Sequence, residues 1–384
     1  MQFEFSTATR IIFGRGKLLE IGQNAKIIGR KAMVVIGSSQ NRSTQLISEL
    51  DEHDIKYILF SVKEEPTVEV VRTGIEICRH EGCELLIAFG GGSIIDAGKA
   101  IAVLSANDGD IYDFLEVIGR GMEISKPGIP MIAIPTTAGT GSEVTRNAVI
   151  GAPEHQVKVS LRSQYLLPTI SIVDPDLSTS MPPELTASTG MDALTQLIEP
   201  YVSIRANPLT DAICLEGMKY SGSSILKAYK NGKDIQSREN LSLASLFSGF
   251  ALANAKLGAV HGFAGVIGGM YHVPHGVICA ALLAPAMKVN IQVLRKRDPE
   301  SPILSRYERI AQILTGKGGS KAEEAVDFIW QLNVDLSIPP LSKYGVTEDG
   351  FPEIIVKAAG SSSMKGNPII LNPDELISII EMAV

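Results

Sequence analysis

Residues 85–99 read LLIAFGGGSIIDAGK, and this stretch indicates an α/β fold. The apolar run Leu85–Phe89 predicts a buried strand, and the chain from Ile94 onward has a helical pattern. Glycines between a strand and a helix let a pyrophosphate approach the backbone, where free N–H groups and the helix dipole favour its negative charge. We therefore predict that phosphate binds at Gly90, Gly91, Gly92 and Ser93, with Asp96 in the first turns of the helix. The alternative is a tight turn that only packs the helix on the sheet.

Four further short runs rich in Val and Ile predict strands. They are Ala32–Ile36, Tyr57–Phe60, Met131–Ile134 and Ile170–Val173. Helical patterns lie between the first three strands of the chain, at Ser43–His53 and Val68–Glu81. Alternating strands and helices predict a parallel sheet. We expect an α/β N-terminal dinucleotide-binding domain with a parallel sheet over residues 1–180.

The pattern changes near Pro175, and from Pro182 onward helical segments dominate. The predicted helices are Glu184–Ile198, Pro208–Tyr229, Ser237–Lys256, Val277–Val289, Ser305–Leu314 and Lys321–Leu332. We expect an all-helical C-terminal domain over residues 181–384. Ligands of parallel sheets bind at the carboxyl ends of the strands, so the active site is expected in the cleft between the domains.

Composition narrows the class of protein. The net charge is −7 and no basic run is present, which argues against nucleic-acid binding. No signal peptide is recognisable at the N-terminus, and Gly, Pro or charged residues interrupt the longest apolar runs, so we expect a cytoplasmic protein without a membrane partner. The four scattered cysteines, Cys78, Cys83, Cys214 and Cys279, are interpreted as reduced thiols.

A second loop rich in small polar residues follows the strand Met131–Ile134. It contains five hydroxyl side chains, those of Thr136, Thr137, Thr140, Ser142 and Thr145, and two glycines. Hydroxyls and exposed amides suit the ribose, phosphate and amide groups of a dinucleotide. We predict that these five residues contact the cofactor and add Asn147 and Lys158 to the same site. An ordinary Ser/Thr-rich loop is the weaker alternative, because two such loops follow strands of one sheet.

The helical half carries polar residues that suit a divalent ion. Asp192 and Gln196 are four residues apart on a predicted helix and therefore share a face. His261 and His275 each precede a glycine. Asp and His are ligands of divalent metals, although spacing alone is weak evidence and a lone histidine is more often structural.

Together these segments resemble the iron-containing (group III) alcohol dehydrogenases over nearly the whole chain. Residues 90–99 (GGGSIIDAGK) and 134–145 (IPTTAGTGSEVT) resemble the two cofactor loops of that family. Residues 189–195 (TGMDALT) and 274–276 (PHG) resemble its metal-site segments. The resemblance implies an α/β dinucleotide domain with a helical domain, oxidation of small alcohols or reduction of aldehydes with NAD or NADP, and a homo-oligomer, namely a dimer.

The resemblance also implies a ligand set, from which this chain departs at two places. The family's Asp, His, His and His fall on Asp192, Gln196, His261 and His275, so the second ligand is a glutamine. A further family histidine, four residues after the third ligand, falls on Gly265, and His272 is the nearest histidine in sequence. We predict that Asp192, His261, His275 and His272 are catalytic and that the metal is Fe or Zn, bound by Asp192, Gln196, His261 and His275.

Cofactor choice is expected to depend on Gly37, Ser38 and Ser39. Family members that prefer NAD often have Asp where Gly37 stands, and a carboxylate there repels the 2′-phosphate of NADP. Without it NADP is accepted, with Arg42 near in sequence to add positive charge.

Three alternatives remain open from the sequence. The first is a metal-independent reductase similar to maleylacetate reductase. The second is a lyase of the dehydroquinate synthase type, and the third is a non-catalytic nucleotide-binding protein.

Overall fold

The computed structural model describes residues 2–63, 65–155 and 157–384, without the side chain of Gln40. The chain forms two compact units. One consists of Ser6–Thr137 and Gly141–Ser178, and is called here the sheet unit. The other consists of Met1–Phe5, Ala138–Thr140 and Thr179–Val384, and is called here the helical unit.

The sheet unit contains a parallel sheet flanked by helices. Its elements are β1 (Arg10–Phe13), α1 (Ile21–Ile28), β2 (Lys31–Ile36), α2 (Thr44–Glu52), β3 (Lys56–Ser61), α3 (Val68–His80), β4 (Leu85–Gly90), α4 (Gly92–Leu104), α5 (Ile111–Phe114), β5 (Met131–Pro135), β6 (Asn147–Ala152), β7 (Val157–Arg162) and β8 (Ile170–Val173). The strand order is β1-β8-β5-β4-β2-β3, and every pair along it is parallel. This confirms the predicted parallel sheet.

Both faces of the sheet are buried, because alternate side chains of a strand point to opposite faces. In β4, Leu86 and Ala88 pack into the core that contains α3 and α4. Leu85, Ile87 and Phe89 pack into the core that contains α1 and α2. Double burial explains why the strand signal in the sequence is a continuous apolar run rather than an alternation.

Three strands of the sheet unit were not predicted from the sequence. β1 is a four-residue edge strand beside β8, so β2 is the second strand of the chain and not the first. β6 and β7 form an antiparallel hairpin outside the main sheet, with partly exposed residues on both strands. The strand prediction relied on apolar runs rich in Val and Ile. Short or half-exposed strands bury little apolar surface, so their sequences need no such run.

The helical unit is helical throughout, as predicted. Its helices are α6 (Pro183–Val202), α7 (Pro208–Lys230), α8 (Ile235–Asn254), α9 (Ala259–Tyr271), α10 (His275–Arg297), α11 (Pro302–Thr315), α12 (Ala322–Asp335), α13 (Phe351–Ala359) and α14 (Pro373–Glu381). Within residues 157–384 no strand follows Val173. Asn207 caps α7 by accepting hydrogen bonds from the backbone N–H groups of Leu209 and Thr210 at 3.1 and 3.2 Å, which fits the predicted start at Pro208.

Helices α9, α13 and α14 were missed from the sequence. Helix α9 contains four glycines, which lower intrinsic helix propensity. At one of them, Gly262, an added Cβ would lie 2.9 Å from the Met364 side chain. Glycine therefore leaves room for the Met364 side chain to pack closely against the helix.

Helix α10 is long and apolar enough to cross a membrane by length and composition, contrary to the expectation that every apolar run is too short. However, 89% of its apolar window is buried inside the protein. Its Ile278, Leu282 and Leu283 belong to the core of the helical unit. We therefore describe α10 as a core helix.

Candidate active site

A cluster of polar side chains, all buried except the exposed His275, lies in the helical unit, and α6 contributes its first members. Asp192 and Gln196 are one turn apart on α6, and each is 2% exposed. Oδ1 of Asp192 and Oε1 of Gln196 have no hydrogen-bond partner among the described residues. The Nε2 group of Gln196 donates to the carbonyl of Gly139 at 3.5 Å. Unsatisfied buried oxygens cost free energy, so their retention points to a ligand that the protein itself does not supply.

Helix α9 adds His261, whose ring is oriented by Glu199 of α6. Nδ1 of His261 lies 2.7 Å from Oε2 of Glu199. The other oxygen of Glu199 accepts from the backbone N–H of Val260 at 2.7 Å. With a proton on Nδ1, the Nε2 atom is left to face Asp192, whose Oδ1 is 3.4 Å away. A carboxylate behind an imidazole is the usual support of a metal-binding histidine.

Helix α10 completes the cluster with His275 and Cys279. Nε2 of His275 is 3.7 Å from Oδ1 of Asp192, and the rings of His275 and His261 are 5.3 Å apart between centroids. Sγ of Cys279 lies 3.8 Å from Nε2 of His261. One potential ligand atom from each of Asp192, His261, His275 and Cys279 falls within 4.8 Å of the other three. We call these four residues the ligand cluster.

The electrostatics of the ligand cluster favour the charged forms of Asp192 and His261. Burial raises the pKa of Asp192, but the positive charges of His275 and His261 outweigh it, so that pKa lies below its ordinary value. Burial lowers the pKa of His261, yet Cys279, Asp192 and Glu199 together raise it well above its ordinary value. Burial raises the pKa of the Cys279 thiol to about 12. A cation at the centre would replace the proton of His261 as the partner of Asp192.

The predicted site residues divide into those that the cluster brings together and those outside it. Asp192, His261 and His275 lie together, and Gln196 is on the adjoining turn of α6. His272 is exposed at the end of α9 in a left-handed conformation (φ 55°) and is not part of the ligand cluster. Its catalytic role stays a prediction, and so do the roles of the other site residues.

Sequence reasoning missed two members of this region. Cys279 was interpreted as one of four scattered thiols, although it stands four residues after His275 and therefore shares its helix face. That spacing was the available signal. Glu199 stands one turn beyond Gln196 in α6, but nothing in the sequence indicates its pairing with His261.

The predicted cofactor residues of the sheet unit meet at the carboxyl edge of the strands. Gly37–Ser39 follow β2, Gly91 follows β4, and Thr136 follows β5. A pocket of about 140 Å³ is lined by Ile36, Gly37, Ser38, Ser39, Arg42, Phe89, Gly90, Gly91, Ile94 and Thr136. Its size and position suit part of a dinucleotide, because ligands of parallel sheets bind beyond the carboxyl ends of the strands.

A buried lysine organises the rest of the second loop. Nζ of Lys99 donates to the hydroxyls of Ser142 and Thr145 at 3.0 and 2.8 Å and to the carbonyl of Asn147 at 2.9 Å. Asp96 accepts from the Ser142 hydroxyl and from the backbone N–H of Val149. These predicted cofactor residues therefore also hold the loop to α4. Lys158 forms an ion pair with Glu65.

Burial shifts the pKa values of two groups in this region, Lys99 and Glu143. Burial lowers the pKa of Lys99 to about 8, against the opposing effect of Asp96 and Glu143. Burial raises the pKa of Glu143 to about 7. The central position of Lys99 in the loop follows from the structure and not from the sequence.

Comparison with known proteins assigns the family. The model "Iron-containing alcohol dehydrogenase" matches residues 8–175, and the model "Fe-containing alcohol dehydrogenase family, C-terminal" matches residues 186–384. The chain is 38% identical to alcohol dehydrogenase 4 of Schizosaccharomyces pombe, over 97% of this chain and 87% of the relative. It is 33% identical to the NAD-dependent methanol dehydrogenase of Bacillus methanolicus, over 97% of each chain.

Solved structures agree with these relatives. A crystal structure of 1,3-propanediol oxidoreductase superposes with a TM-score of 0.91 at 33% identity, and the match covers 100% of both chains. The fold, the order of the two units and the sequence similarity thus extend over the whole length. The chain belongs to the iron-containing alcohol dehydrogenase family and is an oxidoreductase that acts on alcohols with a nicotinamide cofactor.

Proposed function

We propose that this enzyme interconverts small primary alcohols and aldehydes, accepts NADP as well as NAD, and uses a divalent metal ion, Fe or Zn, held in the helical unit. The observation that carries the metal is the ligand cluster, where Oδ1 of buried Asp192 has no hydrogen-bond partner among the described residues. The composition of the cluster fits a divalent cation, since carboxylate and imidazole are both ligands of iron and zinc.

The residues of the chain have distinct roles in this proposal. Asp192, His261 and His275 would hold the ion, and Gln196 would supply its carbonyl oxygen or orient the substrate. When bound, a divalent ion supplies Lewis-acid stabilisation of negative charge on the substrate oxygen. Glu199 holds His261 in the tautomer whose Nε2 faces Asp192. Asp192 contributes the negative charge that would attract the divalent ion to this position.

The cofactor proposal rests on the pocket beyond β2 and β4. Three features support binding of the adenosine end: the pocket volume of about 140 Å³, the serines at 38 and 39, and Arg42 in the lining. Gly37 places no carboxylate against a 2′-phosphate. An absent repulsion permits NADP without creating a preference, so we propose that both cofactors are used. When bound, the nicotinamide supplies the hydride acceptor for alcohol oxidation.

A metal-independent reduction remains the second candidate function. It is favoured by one observation, the glutamine at 196 in place of a family histidine, because a neutral carbonyl is a weaker ligand than imidazole. In that case the ligand cluster would bind substrate polar groups directly. The lyase and non-catalytic alternatives have no comparable support, because family membership indicates a dehydrogenase.

An aldehyde and alcohol panel tests the proposed function. The purified enzyme is assayed with each of NAD(H) and NADP(H), and the absorbance of the reduced cofactor is followed. We expect net oxidation of NADPH and of NADH with a short-chain aldehyde, and the reverse with the alcohol. Transformation of a substrate without net change of cofactor would indicate the lyase alternative, and no turnover with any substrate would contradict the proposal.

Oligomeric state and compartment are also proposals. We propose a cytoplasmic homodimer, as the family resemblance implies. Mass measurement of the native enzyme by light scattering checks the first point, and a monomer at micromolar concentration would contradict it. Cell fractionation checks the second.

A further inference from the structure

We infer that Cys279 is a ligand of the divalent metal, so that the protein-derived set is Asp192, His261, His275 and Cys279, with Gln196 outside it. This inference rests on the metal-binding part of the proposed function. It adds a ligand of a different chemical class, a thiolate, to the two imidazoles and one carboxylate that the proposed function assigns to the metal.

Geometry is the first support. Sγ of Cys279 lies 3.8 Å from Nε2 of His261, and the four potential ligand atoms are all within 4.8 Å of one another. Atoms bonded to one metal ion at about 2.0–2.3 Å are separated by roughly 3–4 Å, so these positions are close to those of a shared ion. Cys279 is fully buried and one turn after His275 on α10, so the helix holds both side chains on one face.

A second, independent support comes from Asp192. Its Oδ1 is buried, has no hydrogen-bond partner among the described residues, and faces both histidines at 3.4 and 3.7 Å. A cysteine in an apolar core needs no such neighbour. A buried carboxylate oxygen without a hydrogen bond fits a centre that binds a cation, and Cys279 borders the same centre.

Gln196 is left outside the set on the chemistry of its side chain, although its Oε1 also has no hydrogen-bond partner among the described residues. Its amide Nε2 donates to the Gly139 carbonyl at 3.5 Å, and its side chain carries no charge. A thiolate binds zinc more strongly than a neutral amide oxygen does. In this chain Gln196 stands where the family has a histidine ligand. Cys279 thus takes the place of that histidine as the fourth protein ligand. Binding forms a metal–sulfur bond and releases the thiol proton to solvent, and no electron transfer is involved.

The chemistry of the set favours a borderline-soft divalent ion. Two nitrogens, one oxygen and one sulfur suit Zn²⁺ or Co²⁺, because thiolate ligands select softer ions. We expect this enzyme to bind Zn²⁺ more tightly than a variant in which the sulfur is replaced, while the relative loss for Mn²⁺, which prefers oxygen ligands, is smaller.

Cobalt spectroscopy on the full-length enzyme tests the inference. Metal-free protein is titrated with Co²⁺, and absorption is recorded from the near-ultraviolet to the visible range. We expect an intense thiolate-to-cobalt charge-transfer band in the parent and its loss in Cys279→Ser. Cys214→Ser is the matched control, because Cys214 is equally buried but lies on α7 outside the ligand cluster. The control should keep the band.

Two further measurements address the folding of the variant. Zn²⁺ affinity, determined by competition with a chromophoric chelator, should fall by about tenfold or more in Cys279→Ser. It should recover in part in Cys279→Ser/Gln196→His, which restores an imidazole. Zinc X-ray absorption of the unmodified enzyme needs no variant, and we expect one sulfur scatterer at about 2.3 Å.

The inference is overturned if the unmodified enzyme binds no Co²⁺, if its cobalt form lacks a thiolate band, or if its zinc shell contains only nitrogen and oxygen. These measurements do not depend on turnover, so they test metal binding by Cys279 separately from the proposed alcohol dehydrogenase activity. Alcohol oxidation by an enzyme whose metal shell lacks sulfur would reject Cys279 alone. A sulfur-ligated metal in a protein that oxidises no alcohol would reject the proposed function alone.

Discussion

Gly37 follows β2 at the carboxyl edge of the sheet, where an added Cβ would meet no atom within 4 Å. The position therefore accepts a side chain without a change in the fold. It lines the same pocket as Ser38, Ser39 and Arg42. A carboxylate at this place would add negative charge to the region that we assign to the adenosine ribose.

We expect Gly37→Asp to shift preference toward NAD. The KM for NADP(H) should rise by about tenfold or more, because like charges brought together on binding cost several kcal/mol, while the KM for NAD(H) should change little. Gly37→Asn is the matched control, since it has the same size without the charge. Unchanged NADP(H) kinetics in Gly37→Asp, or an unmodified enzyme that uses only NAD(H), would contradict this interpretation of Gly37.

A substitution at Gly91 tests the proposed phosphate-binding turn more cleanly than a substitution at Gly90. A Cβ added at Gly90 would lie 2.5 Å from the Ile94 side chain, so that glycine is required for packing. A Cβ at Gly91 would meet only the Thr137 side chain, at 3.4 Å, which is an acceptable contact. Gly91→Val should therefore fold and lose at least about tenfold in cofactor affinity, because its methyl groups occupy the space needed for a phosphate.

Cofactor titration by fluorescence, with thermal unfolding of the same samples, measures the effect of Gly91→Val. Gly319→Val serves as the control, since a Cβ at Gly319 meets nothing within 4 Å and Gly319 lies in the helical unit. A folded Gly91→Val enzyme with unchanged cofactor affinity would show that the turn binds no phosphate.

Residue identities in the site were only partly predictable from the sequence. Asp192, His261 and His275 were found because they lie in strings that resemble a known family. Glu199 and Cys279 were not, because their roles depend on contacts between α6, α9 and α10 rather than on spacing within one segment.

At the scale of elements, α6 presents both a ligand and the support of another ligand. Glu199 bonds to His261 on α9, and its second oxygen accepts from the N–H of Val260. We expect Glu199→Gln to lower metal affinity by about 10–100-fold, because the amide keeps an acceptor for the backbone but loses the charge behind the imidazole. Glu184→Gln, at the exposed start of the same helix, is the control.

Metal affinity of the Glu199→Gln and Glu184→Gln enzymes is compared by competition with a chelator. An equal affinity in both would mean that Glu199 stabilises the fold without acting on the metal site. Stability of the metal-free forms should differ less than metal affinity does.

The second loop contains a carboxyl group whose ionisation opposes folding. Burial raises the pKa of Glu143 from its ordinary 4.5 to about 7, although nearby Lys99 acts in the other direction. Between these pH values the folded protein binds more protons than the unfolded protein, so stability from this group is present below about pH 4.5 and is lost as pH rises through about 7.

Glu143→Gln should therefore gain stability over the parent as pH rises. The shift in pKa corresponds to roughly 3 kcal/mol for a fully buried group, and the gain should develop between about pH 5 and pH 8. Urea unfolding of both proteins across this range measures it. A difference in the free energy of unfolding that is constant with pH would show that Glu143 keeps the same ionisation in both states.

Strands and helices whose sequences show a continuous apolar run or a regular helical pattern were predicted well. The five predicted strands are all present, since each carries a short apolar run whose residues pack into the two cores. Helix α9 was missed because its four glycines lower helix propensity, while the packing of Gly262 against Met364 is invisible in a local pattern. The hairpin of β6 and β7 was missed because its residues are partly exposed.

At the scale of the whole molecule, the division into a sheet unit and a helical unit assigns the two parts of the reaction to different regions. The carboxyl edge of the sheet provides the residues proposed for the cofactor, and α6, α9 and α10 provide those proposed for the metal. The central claim is that the alcohol dehydrogenase reaction of this chain depends on a divalent ion in the ligand cluster.

Activity of rigorously metal-free enzyme, before and after re-addition of metal, tests this claim most directly. The enzyme is stripped with a chelator, metal content is measured by mass spectrometry, and aldehyde-dependent oxidation of NAD(P)H is followed. We expect activity to fall at least about a hundredfold on stripping, consistent with loss of Lewis-acid stabilisation, and to return as one equivalent of Zn²⁺ or Fe²⁺ per chain is added. Full activity in a folded sample that contains no metal would contradict the claim and favour metal-independent reduction.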